Sequence, residues 1–173
     1  MINVLFVCLG NICRSPMAES VFREVVRKRG YSGSFNIDSA GTAGYHIGKQ
    51  PDRRTLEVLE THGLKTTHRG QKIDDELLSE SDHIAVMDEA NFEDVHNYLH
   101  KKLKRPPAPE KLFLIRDFDP EVRGVHEVPD PYYEPIEAFE GVYTLLERSS
   151  EALLDHLIDL HQLEPDPERD EEE

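Results

Sequence analysis

Hydrophobic and polar positions follow two different patterns along this chain. Residues 2–8 (INVLFVC) are apolar almost throughout and rich in β-branched side chains, which is typical of a strand buried on both faces of a parallel sheet. In residues 17–29 the apolar side chains instead recur at helical spacing, with Ser15 and Pro16 as a suitable helix start and Gly30 as a helix stop. Both patterns return further on. Strands are predicted at 35–39, 83–87 and 111–115, and helices at 52–62, 74–81, 88–103 and 136–161.

Strands and helices therefore alternate, and no internal repeat is visible. This order predicts a three-layer α/β fold, with a four-stranded parallel sheet flanked by helices on both faces. We expect one domain over residues 1–163, with its ligand site at the carboxyl ends of the strands. Residues 116–131 separate the last strand from the last helix as a long loop rich in Pro, Asp and Gly, and long loops in compact domains are often functional.

Composition and charge narrow the class of protein. The 173 residues are 38% hydrophobic, and no apolar run approaches the length of a membrane span. A formal net charge of −15 argues against nucleic acid and against anionic membranes as partners. Residues 164–173 hold seven acids and one Arg, and we expect a disordered acidic tail there. The start of the chain lacks the pattern of a signal peptide, so we expect a cytoplasmic protein.

The loop that follows the first strand carries the candidate chemistry. Residues 8–15 read CLGNICRS and contain both cysteines of the chain. Inward-facing backbone N–H groups, the start of the next helix and the Arg14 fork can together hold one small anion. Gly10 and Asn11 are residue types that tolerate the positive φ of a tight loop. The same field favours a thiolate at Cys8, with the Ser15 hydroxyl as a hydrogen-bond donor to it. We predict a phosphate-binding loop with a nucleophile at its base.

Other loop chemistries fit this segment poorly. It lacks the Gly-Lys-Ser/Thr of a Walker loop and the glycine spacing of a dinucleotide-binding turn. No cluster of His, Cys and Asp with metal-ligand spacing follows it. We therefore expect neither a metal nor a cofactor.

Two segments together carry a resemblance to a known family. Residues 7–16 (VCLGNICRSP) resemble the signature loop of the low-molecular-weight protein tyrosine phosphatases, and residues 130–133 (DPYY) resemble that family's general-acid motif. Residues 38–42 and 87–91 are similar to further family segments in the same order, so the resemblance spans roughly residues 2–160. The segment 96–128 is longer than in the compact eukaryotic members and resembles that of bacterial-type members.

The resemblance implies a role for each site residue. Cys8 would attack phosphorus to form a phosphocysteine, Arg14 would bind the phosphate, and Asp130 would act as general acid and then general base. The remaining phosphate-binding positions would be Leu9, Gly10, Asn11, Ile12, Cys13 and Ser15. Ser39 and His68 would support the loop, and Tyr45, Tyr132 and Tyr133 would form the walls of the cleft.

The resemblance also implies partners and a redox role. The substrates would be tyrosine-phosphorylated proteins or peptides, with inorganic phosphate as a product, and the protein would be a monomer or a weak dimer. Cys13 would form a reversible disulfide with Cys8 that protects it from over-oxidation; the alternative is that Cys13 only packs.

Three other functions stay open. An arsenate reductase of the same fold needs further cysteines to relay a disulfide. Phosphoarginine phosphatases carry a threonine where Ile12 stands and lack the paired tyrosines. A non-catalytic phosphopeptide-binding module would be expected to have lost Cys8 or Asp130. Taken singly, Asp130 could be an ordinary turn residue, Ser39 a satisfied strand-end hydroxyl and His68 a solvent-facing side chain.

Overall fold

The computed structural model describes residues 1–167 as an α/β fold around one parallel sheet. The strands are β1 (Ile2–Cys8), β2 (Phe35–Gly41), β3 (His83–Val86) and β4 (Leu112–Leu114). The helices are α1 (Arg14–Lys28), α2 (Arg53–Thr61), α3 (Asp75–Glu80), α4 (Glu89–Leu103) and α5 (Ile136–His161). Short 3₁₀ helices span Ser32–Ser34 and Ile115–Phe118. The predicted four-stranded parallel sheet is confirmed.

The strand order is β2-β1-β3-β4, so β1 is a central strand. Alternate side chains of β1 lie in two separate apolar cores. Phe6 packs on the face that α1, α2 and α5 cover, whereas Leu5 packs on the face that α3 and α4 cover. Burial on both faces explains why β1 reads as a continuous apolar run. The central position of β1 also places Cys8, its last residue, at the middle of the carboxyl edge of the sheet.

Helix α1 begins three residues before the first residue of the apolar repeat. It starts at Arg14, and the Met17 amide donates to the Cys13 carbonyl at 3.3 Å. Arg14 and Ser15 therefore lie in the first helical turn, where backbone N–H groups have no partner within the helix and the helix dipole is positive.

The start of α4 lies at the same edge of the sheet as Cys8. Asp88 accepts a hydrogen bond from the Asn91 amide at 2.8 Å, and the Asn91 side chain accepts one from the Asp88 amide at 3.2 Å. This capping box gives α4 a well-defined first residue.

The long loop that leads to Asp130 is held by a buried carboxylate. The Asp119 carboxylate accepts hydrogen bonds from the guanidinium groups of Arg148, with N···O of 2.7 Å, and Arg116, with N···O of 3.0 Å. Burial works against the ionised form, but these bonds and the Glu121 amide lower the pKa of Asp119 to about 2. Arg116 also donates to the Glu127 carbonyl at 2.8 Å. The loop is therefore fixed to α5 a few residues before Asp130.

The chain continues past α5 along the end of α1. The Asp166 amide donates to the Gly30 carbonyl at 2.6 Å, and the Asp166 carboxylate accepts from the Gly33 amide at 2.8 Å. The expected acidic tail is thus attached to the domain at Asp166, and its residues 168–173 lie outside the described part of the chain. Within residues 1–167, none of the helices combines the length and apolar character that crossing a membrane requires.

Candidate active site

The Cys8 thiol lies at the floor of a loop that wraps around the start of α1. Its Sγ atom is 3.0 Å from the Ser15 Oγ atom, and both residues are buried. Ser15 Oγ accepts a hydrogen bond from the Asn11 side-chain amide at 2.8 Å, which leaves the hydroxyl hydrogen free to donate to sulfur. A hydroxyl donor and a helix N-terminus both stabilise negative charge on that sulfur.

Asn11 is the centre of the network that shapes the loop. It adopts the left-handed conformation, with φ of 57°, which is tolerated better by Asn than by most residues. Its Oδ1 atom accepts from the Gln71 amide at 2.9 Å and faces His68 Nε2 at 2.7 Å. Its Nδ2 atom donates to Ser15 and, at 3.1 Å, to Ser39 Oγ. Because the Gln71 amide can only donate, the orientation of the Asn11 amide is fixed.

Glu19 completes this network on the side away from the cleft. Its Oε1 atom accepts from Ser39 Oγ at 2.9 Å and lies 3.2 Å from His68 Nδ1. Burial works against the ionised form, but His68, Arg23 and Ser39 hold the pKa of Glu19 below its ordinary value. Ser39 and His68 were predicted from the sequence, whereas Glu19 was not. The signal available was an acid four residues after Ser15, on the buried face of α1.

Arg14 lies almost wholly inside the protein beside the thiol. One nitrogen of its guanidinium donates to Asp88 at 2.7 Å and to the Val128 carbonyl at 3.0 Å. Burial disfavours the charged form, but the negative charges of Cys8, Asp88 and Asp130 keep the pKa of Arg14 above its ordinary value. Asp88 therefore orients the planar fork that can bind two oxygens of an anion.

Asp130 lies across the cleft from the loop. Its Oδ2 atom is 3.8 Å from an Arg14 nitrogen, and its Oδ1 atom accepts from the Tyr132 amide at 3.1 Å. The side chain is 47% exposed, so a bound molecule can reach it. The structure thus brings together Cys8, Arg14 and Asp130, which are up to 122 positions apart in the sequence.

These groups line a cleft of about 340 Å³. Tyr132 and Tyr133 meet edge to face on one wall, with ring centroids 4.8 Å apart, and Tyr45 lies on the rim. The lining residues are Cys8, Leu9, Gly10, Ile12, Cys13, Arg14, Tyr45, His46, Asp130, Tyr132 and Tyr133. His46 is a lining residue that the sequence analysis did not assign.

The rim loop that carries Tyr45 is tied to the thiol loop by its backbone. The Thr42 amide donates to the Cys8 carbonyl at 2.9 Å and the Ala43 amide to the Leu9 carbonyl at 3.0 Å. A Cβ atom at Gly41 would lie 2.6 Å from the Leu9 carbonyl oxygen. Only glycine permits this approach of the two loops.

Comparison with known proteins identifies the family to which this chain belongs. The sequence pattern of the family described as "Low molecular weight phosphotyrosine protein phosphatase" matches residues 3–163. The chain belongs to this family. The human low molecular weight phosphotyrosine protein phosphatase is 40% identical over 153 residues, which are 88% of this chain and 94% of the human protein. The chain is accordingly a protein phosphatase, an enzyme of a hydrolase family.

Solved structures of low molecular weight phosphatases share the fold. A protein tyrosine phosphatase from Entamoeba histolytica has a TM-score of 0.81 and 34% identity, covering 94% of this chain and all of that one. A drosophila arginine phosphatase has a TM-score of 0.78 and 32% identity, covering 89% of this chain and 96% of that one. The fold alone therefore does not decide between phosphotyrosine and phosphoarginine.

The second cysteine of this phosphatase differs from the first in its surroundings. Both are free thiols. Burial, with the nearby charges of Asp52, Cys8 and Asp130, raises the pKa of Cys13 to about 12. Cys13 is therefore a neutral thiol at physiological pH, which argues against it as the nucleophile that attacks phosphate.

One cluster within the described residues has the composition of a metal site. Ligand-type atoms of Glu19, Asp38 and His68 lie within 4.8 Å of one another. Glu19 and His68 are already bonded to each other and to Ser39 and Asn11. The chemistry of this cluster is that of a hydrogen-bond network supporting the loop.

Proposed function

We propose that this phosphatase hydrolyses phosphotyrosine in proteins or peptides through a phosphocysteine intermediate on Cys8. Arg14 binds the phosphate, and Asp130 is general acid and then general base. The observation that carries the proposal is the single cleft in which a buried thiol, a buried guanidinium and an accessible carboxyl group face one another between tyrosine side chains.

The first step transfers the phosphoryl group to sulfur. The Cys8 thiolate attacks phosphorus, the Sγ–P bond forms, and the bond from phosphorus to the phenolic oxygen breaks. Protonated Asp130 gives its proton to that oxygen, so that a neutral phenol leaves. Arg14 and the loop amides hold the equatorial oxygens, where negative charge is spread in the transition state.

The second step releases phosphate. The Asp130 carboxylate, now deprotonated, takes a proton from water as the water oxygen attacks phosphorus. The P–Sγ bond breaks, and the electron pair returns to Cys8 as a thiolate. The Ser15 hydroxyl, 3.0 Å from Sγ, stabilises that leaving thiolate. The products are inorganic phosphate and the starting enzyme.

The walls of the cleft favour phosphotyrosine over phosphoarginine. Ile12 and Tyr132 offer apolar and aromatic surface at the cleft, which suits a phenyl ring. A guanidinium leaving group would be cationic, and placing its charge against the apolar Ile12 side chain costs more than placing a phenyl ring there. We expect kcat/KM for a phosphotyrosyl peptide to exceed that for a phosphoarginyl peptide of the same sequence. The reverse order would identify the protein as a phosphoarginine phosphatase.

Cys13 is proposed as a redox guard for the nucleophile. A peroxide that converts Cys8 to a sulfenic acid produces a group that condenses with a neighbouring thiol, forming a disulfide and releasing water. Both cysteines line the same cleft, which supports this pairing. The expected monomer or weak dimer and the expected cytoplasmic location stay predictions.

Two substitutions test the assigned roles. Cys8→Ser is expected to abolish hydrolysis of aryl phosphates while inorganic phosphate still raises the melting temperature of the variant. Asp130→Asn is expected to lower kcat/KM by about 10²-fold or more for phenyl phosphate, and much less for 4-nitrophenyl phosphate, whose phenolate needs no proton to leave. Glu93→Gln, which changes an exposed acid on α4, is the matched control. Normal turnover by Cys8→Ser would rule out the mechanism.

A further inference from the structure

Arg54 lies outside the cleft lining, in the first turn of α2, yet it contacts two elements of the site. Its side chain forms two bonds with the Asp52 carboxylate, each 3.0 Å long. Asp52 caps α2 through the Arg54 amide, and the Asp52 amide donates to the Ile12 carbonyl at 2.7 Å. Arg54 is therefore linked through Asp52 to the loop that holds the Cys8 thiol.

The other edge of the same guanidinium holds the segment that carries the general acid. It donates to the Tyr132 carbonyl at 2.8 Å and to the Glu134 carbonyl at 2.8 Å. Its central carbon lies 4.3 Å from the centre of the Phe139 ring, in the second turn of α5. The turn between Asp130 and α5 is thus fixed by Arg54 at two carbonyls and one ring.

The Tyr132 residue connects this clamp to the reacting carboxyl group. Its amide donates to Asp130 Oδ1 at 3.1 Å, while its carbonyl accepts from Arg54. The Asp130 Oδ2 atom is left facing the phosphate site, 3.8 Å from Arg14. Rotation of the Tyr132 backbone would therefore turn the Asp130 carboxyl group away from the phosphate site.

We propose that Arg54 is a positioning residue for the general acid, setting the orientation of the Asp130 carboxyl group relative to the thiol loop. The inference rests on the proposed function, because it assigns Arg54 a part in protonating the leaving group. The four acceptors of Arg54 lie on two edges of one planar group, and a lysine ammonium at the same position cannot reach both edges. Charge alone is therefore not enough at this position.

The test compares Arg54→Lys and Arg54→Met with Asp130→Asn on two aryl phosphates. Phenyl phosphate has a poor leaving group that needs the acid, and 4-nitrophenyl phosphate has a good one that does not. Both Arg54 variants are expected to lose about 10- to 100-fold in kcat/KM on phenyl phosphate and only about 3-fold or less on 4-nitrophenyl phosphate. Inhibition by inorganic phosphate is expected to be unchanged, because Arg14 is retained and the backbone amide of Asp52 still donates to the Ile12 carbonyl of the loop. Arg53→Met, which changes the exposed neighbour on α2, is the control.

The outcomes separate this inference from the proposed function. Equal losses on both substrates by the Arg54 variants, or no loss, would overturn the positioning role even if Asp130→Asn shows the steep leaving-group dependence. If Asp130→Asn itself shows no difference between the two leaving groups, the proposed role of Asp130 as general acid fails as well. Thermal unfolding monitors the folded state, and Arg54→Lys, which keeps charge and helix propensity, decides the matter if Arg54→Met does not fold. Arg54→Met in the Asp130→Asn background is expected to cause little further loss on phenyl phosphate.

Discussion

The hydrogen bond between Ser15 and the sulfur of Cys8 can be tested by removing one oxygen atom. Ser15→Ala deletes the hydroxyl that lies 3.0 Å from Sγ and 2.8 Å from the Asn11 amide. Asn11 keeps a partner for that amide, since it also donates to Ser39. The substitution therefore removes stabilisation of the thiolate while the loop keeps its other bonds.

The size of the effect follows from the charge on sulfur. A hydrogen bond to a charged group contributes about 1.5–3 kcal/mol, and a tenfold change in rate corresponds to about 1.4 kcal/mol. Thiolate expulsion from the phosphocysteine is therefore expected to slow by about 10- to 150-fold. The loss of folding stability should be nearer about 1 kcal/mol, because no buried donor is left without a partner.

The assay is single-turnover and steady-state hydrolysis of two aryl phosphates that differ in their leaving groups. Because expulsion of the thiolate follows departure of the phenol and is the same step for both substrates, kcat should fall equally for both, and phosphoenzyme should accumulate. Ser20→Ala, at another buried serine of α1 outside the cleft lining, is the control. Turnover within twofold of the parent enzyme would refute the assigned role of Ser15.

Three further predictions follow from the networks around the cleft. Glu19→Gln should destabilise the protein by about 3 kcal/mol at pH 7; the lowered pKa of Glu19 means that the difference from the parent shrinks as urea unfolding is repeated below about pH 4.5. Asp119→Asn should cost about 2–3 kcal/mol at pH 7. Since the pKa of Asp119 falls from 3.8 to about 2 on folding, that difference should fade between pH 4 and pH 2, and a constant difference would contradict the ion pair. Cys13→Ser should make inactivation by peroxide irreversible by thiols, because the Cys8 sulfenic acid is then oxidised further; an unchanged recovery in activity and intact mass would remove the redox role of Cys13.

Sequence patterns determined the elements because their causes are local. The continuous apolar run of β1 and the helical repeat of α1 each reflect burial of neighbouring residues. The helix start predicted at Ser15 and Pro16 is one residue late, because Arg14 is polar and belongs to the loop motif, although Arg14 and Ser15 both lie in the first turn of α1. They are buried there by the loop and not by an apolar stripe.

The partners of the site residues depended on topology, which a single sequence does not state. Asp88 holds Arg14 from 74 positions away. The two meet because β1 and β3 are neighbours in the sheet, with Val7 opposite Val86, so that residues following these strands share one edge. The available signal was that Asp88 directly follows a buried strand, but the sequence pattern indicated only that Asp88 begins a helix.

Arg54 was harder to find for a different reason. Two of its acceptors are backbone carbonyls, at Tyr132 and Glu134, and carbonyl acceptors leave no trace in residue type. Its sequence context is an ordinary helix start after Asp52. Only the folded arrangement shows that it spans the thiol loop and the general-acid segment.

The central claim is that phosphate passes through the sulfur of Cys8. The most direct measurement is acid quenching of the enzyme during turnover of an aryl phosphate, followed by mass spectrometry of the peptide that contains residues 8–14. A single added phosphoryl group on Cys8, which disappears in Cys8→Ser and accumulates in Ser15→Ala, is the predicted result. Two results would contradict the account: turnover with the phosphoryl group on Cys13, or turnover with no phosphorylated cysteine in the parent enzyme and in Ser15→Ala.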